Sequence, residues 1–172
     1  MSKSAFLLLC VPLALASCGP RGIQVPDAYD VSGSIAGSWG TDARLRLALV
    51  GTGFPEVVTN NSTLAQNVLL TGINTWNFGV DLPNVPGVVG VYQVVVYNDA
   101  NNNANLDATE VDSVARNQQW LIYSQVGGNV PATRFTPEMN VTQGWNLYDK
   151  RVAISTTNPR SGQKVTGYDL SR

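Results

Sequence analysis

Oxygen-bearing side chains recur at alternate positions in residues 99–110, a spacing that suits a calcium ion. Calcium takes about six to eight oxygen ligands, and a loop of about twelve residues can supply them from positions 1, 3, 5, 7, 9 and 12. Position 7 contributes its backbone carbonyl, and the acid at position 12 can bind through both carboxylate oxygens. The predicted ligands of a structural Ca²⁺ are Asp99, Asn101, Asn103, Asn105, Asp107 and Glu110.

Two residues inside this loop bear on how strongly it would hold the ion. Leu106, at position 8, is the apolar anchor of such loops, whereas Ala104 stands at position 6, where Gly normally makes the sharp turn. The missing Gly predicts weak affinity, on the order of 10⁻⁴ to 10⁻³ M.

The alternative is a surface turn without an ion, because Asn and Asp favour turns by bonding their own backbone. Four of the twelve acidic residues of the chain fall within residues 99–112. They would repel one another without a cation, so the sequence favours calcium over the plain turn.

The N-terminal residues have the layout of a secretory signal peptide. Lys3 precedes an apolar run over residues 5–16, which is too short to span a bilayer as a helix. The run ends in Leu15-Ala16-Ser17-Cys18, which resembles the bacterial lipobox. The resemblance implies cleavage before Cys18 and attachment of lipid to its thiol and new amino group. Ordinary secretion with cleavage near Ala16 is the alternative.

The residue after Cys18 indicates where a lipidated protein would reside. It is Gly19, and not the Asp that often retains lipoproteins at the inner membrane of enteric bacteria. The sequence therefore favours the outer membrane or the cell surface, with the membrane as partner through the lipid at Cys18. Several acyl chains would anchor the protein stably, because each buried methylene contributes ~0.8 kcal/mol.

Composition excludes several kinds of chemistry. The chain has no His, and its two Cys are Cys10 and Cys18, so a mature lipidated chain would keep neither a free thiol nor a disulfide. Serine–histidine and cysteine–histidine catalysis and the usual zinc sites are thereby excluded. No basic cluster is present, so nucleic acid is not a predicted partner. A hydrolase with two catalytic carboxylates stays open as the least favoured function.

Short β-branched, aromatic and alternating segments predict an all-β domain. The clearest has Leu45, Leu47 and Leu49 alternating with Arg44 and Arg46, whose side chains we expect to face solvent. No segment shows long helical periodicity, and seven or eight strands separated by Gly, Pro and Asn turns predict an antiparallel β-sandwich. Further strands are predicted at residues 31–37, 68–70, 76–80, 91–97, 120–123, 145–148 and 152–154.

The chain divides into four predicted parts. Residues 1–17 form the lipoprotein signal peptide, and residues 18–30, which contain Pro and Gly, form a tether. Residues 31–155 form the β-sandwich domain. Residues 156–172 are a polar C-terminal tail or an edge strand.

Residues 76–110 resemble part of the prealbumin-like sandwiches, which include transthyretin and the carboxypeptidase-regulatory-like domains. The segment Trp76–Val80 leads through Leu82-Pro83 to the Tyr-containing segment 90–97 and the acidic loop. The resemblance implies a seven-stranded sandwich of transthyretin- or immunoglobulin-like architecture with a non-enzymatic accessory role. It departs at Ala104 and Asn105, where that family commonly has Gly near the turn.

The tryptophans separate two functional hypotheses. Trp76, Trp120 and Trp145 lie in apolar strand patterns and predict core packing, whereas Trp39, between Ser and Gly, is the candidate for an exposed ring. One hypothesis is a calcium-stabilised, non-enzymatic lipoprotein of the bacterial cell envelope that acts as a structural or interaction module. The alternative is a module that binds envelope glycan or protein through exposed aromatic rings.

Overall fold

The computed structural model describes residues 23–53, 58–87 and 89–172, and the predicted signal peptide and lipobox lie outside this part. The described residues form strands joined by turns and two short 3-10 turns, Pro26–Ala28 and Val111–Ser113, without an α-helix. No helix in this part is long and apolar enough to cross a membrane. The strands are β1 (Val31–Ala36), β2 (Leu45–Gly53), β3 (Val58–Asn61), β4 (Gln66–Gly72), β5 (Thr75–Val80), β6 (Gly90–Asn98), β7 (Gln119–Ser124), β8 (Gly128–Val130), β9 (Met139–Val141), β10 (Gly144–Asp149), β11 (Arg160–Ser161) and β12 (Leu170–Ser171).

The strands form two main sheets, and the predicted all-β class with antiparallel sheets is confirmed. The small sheet has the order β12-β1-β5-β4, and the large sheet has the order β11-β10-β7-β6-β2-β3. Strands β8 and β9 form a separate hairpin. Among the described strand pairs only β1 with β12 is parallel. The described residues contain twelve strands, more than the expected seven or eight, and several of these strands are only two to four residues long.

The main core lies between the inward faces of the two sheets. The small sheet contributes residues such as Ile35 and Phe78, and the large sheet contributes residues such as Leu47, Val94 and Leu121. All five side chains are fully buried. The arrangement follows from the period of two along a strand, which sends alternate side chains to one face of the sheet.

Strand β6 differs from its neighbours because both of its faces are buried. Every residue from Gly90 to Tyr97 is buried. Val94 and Val96 face the main core. Val91, Val95 and Tyr97 point to the outer face of the large sheet, where two separate segments of the chain cover them. A continuous apolar run is typical of a strand that is covered on both sides.

The two covering segments lie at different places on this outer face. At one place Val91 of β6 packs with Val130, Met139 and Val141 from the β8–β9 hairpin and its surroundings. At the other, Val95 and Tyr97 of β6 pack with Ala48 of β2 and with Leu106 from the loop 99–110. The loop is therefore part of the hydrophobic packing of the domain, and it does not project freely into solvent.

Two expectations, one about a strand and one about a tryptophan, are wrong. Residues 152–154 do not form a strand: Val152 and Ile154 are exposed, and the side chain of Asn158 donates to the Val152 carbonyl at 2.6 Å. The Val152 carbonyl therefore accepts a hydrogen bond from the Asn158 side chain, where in a sheet it would accept one from a neighbouring strand. Trp39 is not exposed either, since its side chain is 5% accessible and the guanidinium of Arg172 lies 5.3 Å from its ring centroid.

The C-terminal residues contribute to the core despite their polar sequence. Val165, Tyr168 and Leu170 are buried in the main cluster. The Tyr168 hydroxyl donates to the Gln119 carbonyl at 3.0 Å, which connects this segment to the start of β7. Strand β12 lies at the edge of the small sheet, beside β1.

We expect Leu170→Ala to lower the free energy of unfolding by about 2–5 kcal/mol, because it removes a fully buried side chain and leaves a cavity. Urea unfolding measures the change. Ser171→Ala is the matched control, since Ser171 is the exposed neighbour on the same strand and its replacement should be nearly neutral. Equal stability of the two variants would show that the C-terminal segment is not part of the core.

Candidate metal centre

The loop 99–110 is fixed at both ends to the large sheet. The Asp99 N–H donates to the Arg44 carbonyl at 2.9 Å, which connects the first loop residue to the start of β2. After the loop, Ala115 and Val96 exchange two backbone hydrogen bonds of 2.9 and 3.2 Å, so the chain returns to β6 before entering β7. The chain therefore leaves the large sheet at the end of β6 and bonds to β6 again after the loop.

The carboxylate of Asp99 organises the first half of the loop. Its side chain is only 1% accessible. One carboxylate oxygen accepts the Asn103 N–H at 3.0 Å, and the other accepts the Ala104 N–H at 3.0 Å. These two bonds wrap the backbone around the carboxylate and use part of its capacity to accept hydrogen bonds.

Glu110 joins the second half of the loop to its beginning. Its side chain is 6% accessible. Oε1 accepts the Ala100 N–H and Oε2 accepts the Asp107 N–H, both at 3.1 Å. The last predicted ligand thus bonds the backbone at the second and the ninth positions of the loop.

Asp107 accepts hydrogen bonds from two side-chain amides of the loop. Asn101 and Asn103 donate from their Nδ2 atoms to the same oxygen of Asp107, at 2.7 and 2.8 Å. The Oδ1 atoms of these two asparagines accept the backbone N–H groups of Asn103 and Asn105. The structure therefore places all six predicted ligand residues in one hydrogen-bonded network. Asn105, which was predicted to contribute its carbonyl, joins the network through its N–H and its side-chain amide, both of which donate to Asn103.

The donor set suits a hard cation in its chemistry. An oxygen that accepts one N–H keeps a second lone pair, and this holds for both oxygens of Asp99 and of Glu110 and for the asparagine oxygens. The Asn105 carbonyl accepts no hydrogen bond from a described residue. Among the described residues no three His, Cys, Asp or Glu side chains form a metal-binding group by themselves. An ion here would depend on amide and backbone oxygens in addition to carboxylates.

Ala104 adopts the backbone conformation for which loops of this kind use Gly. Its φ is 63°, in the left-handed region that costs a residue with a Cβ atom about 1–2 kcal/mol. Asn102 also has a positive φ, of 57°, but Asn tolerates this region because its side chain bonds locally. The strain at Ala104 is compensated by the bond from its N–H to Asp99.

Three further residues beneath the loop were not predicted as part of the site. Arg46, expected to face solvent, is partly covered, and its Nε lies 3.8 Å from Asp99. The Ser62 hydroxyl accepts the Leu106 N–H at 3.0 Å and so helps to seat the loop. Burial raises the pKa of Tyr97, and the charge of Arg46 opposes that rise only in part. Tyr97 therefore stays neutral and adds no negative charge beside Asp99.

Cys18, the predicted lipidation site, lies outside the described residues. Comparisons with protein-family models, curated proteins and solved structures find no match for this chain. The resemblances to prealbumin-like sandwiches and to the lipobox therefore stay predictions from the residues that carry them.

We expect Ala104→Gly to raise the free energy of unfolding by about 1 kcal/mol, because Gly adopts a positive φ without a Cβ clash. Thermal or urea unfolding gives the change. Ala108→Gly is the matched control, since Ala108 is an exposed loop residue without a positive φ, and Gly there should cost about 0.4–1 kcal/mol. If both variants lose stability to the same extent, Ala104 is not strained.

Proposed function

We propose that this chain is a lipid-anchored protein of the bacterial cell envelope whose β-sandwich is stabilised by calcium in the loop 99–110 and acts as a non-enzymatic structural or interaction module. The observation that carries the calcium part is the burial of two acidic side chains, Asp99 and Glu110. Burying a charge is costly unless it is paired and hydrogen-bonded.

The protein compensates these two charges only in part. Each carboxylate accepts two backbone N–H groups. Glu110 pairs with no basic residue in the described part of the chain. Asp99 has Arg46 at 3.8 Å, which is beyond hydrogen-bond distance, and the Arg46 side chain is 36% accessible. The remaining negative charge, together with that of Asp107, favours a divalent cation bound by oxygen ligands.

The position of the loop supports a structural role for the ion over a sensing role. The loop lies between strands β6 and β7, its first residue is bonded to Arg44 directly before β2, and Leu106 covers the outer face of the sheet. An ion that binds the loop oxygens would hold these parts together. Calcium sensors instead change the angle between two helices, and the described part of the chain has no α-helix.

The envelope location is supported by the sequence of residues 1–18. A short apolar run follows Lys3 and ends in Leu15-Ala16-Ser17-Cys18. Calcium concentrations outside the cytoplasm could fill a weak site of the kind inferred from Ala104. A domain without a disulfide would gain stability from that ion by mass action.

We expect calcium at about 100 times its Kd to stabilise the native protein by about 2.7 kcal/mol relative to chelator, which raises its melting temperature by several degrees. Asp107→Asn removes one loop carboxylate and should abolish most of this shift. Asp112→Asn is the matched control, because it removes an equal charge from an exposed acid outside the loop. No shift in the native protein, or equal shifts in the two variants, would contradict the site.

We expect Cys18→Ser to move the protein from the membrane fraction to the soluble fraction, because it removes the atom that would carry the lipid. Immunoblotting of fractionated cells measures the distribution. Cys10→Ser, the matched control, changes the only other cysteine and should leave the protein in the membrane fraction. Retention of the Cys18→Ser protein in the membrane would contradict lipidation at this residue.

A further inference from the structure

A cleft of about 660 Å³ lies at the opposite end of β6 from the loop 99–110. It is bounded by the turn that follows β5, by the end of β7 and by the start of β10. Its volume is within the range of small-ligand sites, about 300–1,000 Å³. None of the predicted calcium ligands lines it, so it is a separate feature of the fold.

The aromatic wall of this cleft is held in a fixed position. Trp145 is partly buried, and its indole N–H donates to the Pro83 carbonyl at 2.9 Å. Its ring lies 5.3 Å from the Tyr92 ring and 5.2 Å from the Tyr123 ring, measured between centroids. Trp145 and Tyr123 both line the cleft, but Tyr123 is only 7% accessible, so the partly exposed Trp145 presents most of the aromatic surface. Because Trp145 is already held in place, this surface needs no reordering when a ligand binds.

The polar groups around this surface are mainly side-chain amides. Gln125, Gln143 and Gln163 line the cleft, are exposed, and make no side-chain hydrogen bond with a described residue. Each amide offers both donors and an acceptor. A ligand rich in hydroxyl groups, which also donate and accept, is the chemical complement of such a lining.

The charges in the cleft limit the class of ligand further. Asp30 is the one charged residue among the described residues that line the cleft, and one of its oxygens already accepts the Leu82 N–H at 2.9 Å. The described part of the lining holds no Lys or Arg, so it offers no cationic partner to a phosphate or carboxylate ligand. The lining thus favours a neutral ligand.

The backbone at the cleft does not suit a peptide that would add a strand. The Trp145 carbonyl accepts the Gly162 N–H at 2.9 Å, and β10 pairs with β7 along its whole length. Strand addition requires an unpaired edge whose N–H and C=O groups are free. Recognition here therefore has to use the side chains.

We propose that this cleft is a binding site for a neutral saccharide, with a C–H face of a sugar ring against the aromatic wall and its hydroxyl groups on Gln125, Gln143 and Gln163. The C–H hydrogens of a sugar carry small positive charge and suit the negative face of an aromatic ring. The site gives the proposed envelope module a ligand class, and its binding requires neither calcium nor the lipid anchor.

Isothermal titration of the full chain with three neutral tetrasaccharides (cellotetraose, chitotetraose and maltotetraose) and with acidic tetragalacturonate tests the site. We expect at least one neutral sugar to bind in a 1:1 complex and the acidic sugar not to bind. Gln143→Ala and Gln125→Ala should each weaken the affinity by about fivefold to tenfold, the value of one hydrogen bond. These variants change exposed side chains and should fold normally.

Gln118→Ala is the matched control, because Gln118 is also exposed but does not line the cleft. This variant should bind the sugar with the affinity of the native protein. Asp107→Asn should also bind the sugar normally, so a failure of the calcium proposal would leave this result intact. The saccharide site is contradicted if no neutral sugar binds at millimolar concentration. It is also contradicted if tetragalacturonate binds more tightly, or if Gln118→Ala weakens binding as much as Gln143→Ala does.

Discussion

The buried carboxylate of Asp99 is the group on which the geometry of the loop 99–110 depends. It follows β6 directly, so the pairing of β6 with β2 fixes its position before the loop begins. Its bonds to the N–H groups of Asn103 and Ala104 then impose a left-handed turn on a residue that carries a Cβ atom. Without that carboxylate, the strained turn would lose the bonds that compensate it. The need to balance a buried charge is also the physical reason for expecting a cation at this place.

Strand β6 connects the two proposed sites. Its C-terminal end leads into the calcium loop, and its N-terminal end pairs with the part of β7 that borders the cleft. Both of its faces are buried, so it is among the parts of the domain best suited to hold side chains at fixed positions. The loop and the cleft thus share one rigid strand but no residue, and each can be altered without the other.

The sequence was sufficient for the fold class and for the strands with clear patterns. Alternating leucines predicted β2, and the β-branched and aromatic run over residues 91–97 predicted β6. The same run could have indicated that the outer face of the sheet is covered, because a strand exposed on one face alternates. That signal would have shown that Arg46 lies partly beneath another segment and does not face open solvent.

The rest depended on contacts between residues far apart in the sequence. Trp39 has Ser and Gly as neighbours, so its local pattern is polar, yet Arg172 at the far end of the chain covers its ring. Val152 and Ile154 alternate as a strand would, but the Asn158 side chain bonds the backbone there and fixes a turn. In the loop, the spacing of oxygens was readable from the sequence. The burial of Asp99 and Glu110 was not, because it comes from the folding of the loop onto the sheet.

Anomalous X-ray diffraction from crystals grown with calcium is the most direct test of the central claim. We expect one anomalous peak in the loop, at about 2.3–2.6 Å from oxygen atoms of most of the proposed ligands. Those ligands are Asp99, Asn101, Asn103, Asp107, Glu110 and the carbonyl of Asn105. The absence of a peak in the loop at a calcium concentration of tens of millimolar would contradict calcium binding by these residues. A peak found only elsewhere on the protein would contradict it as well.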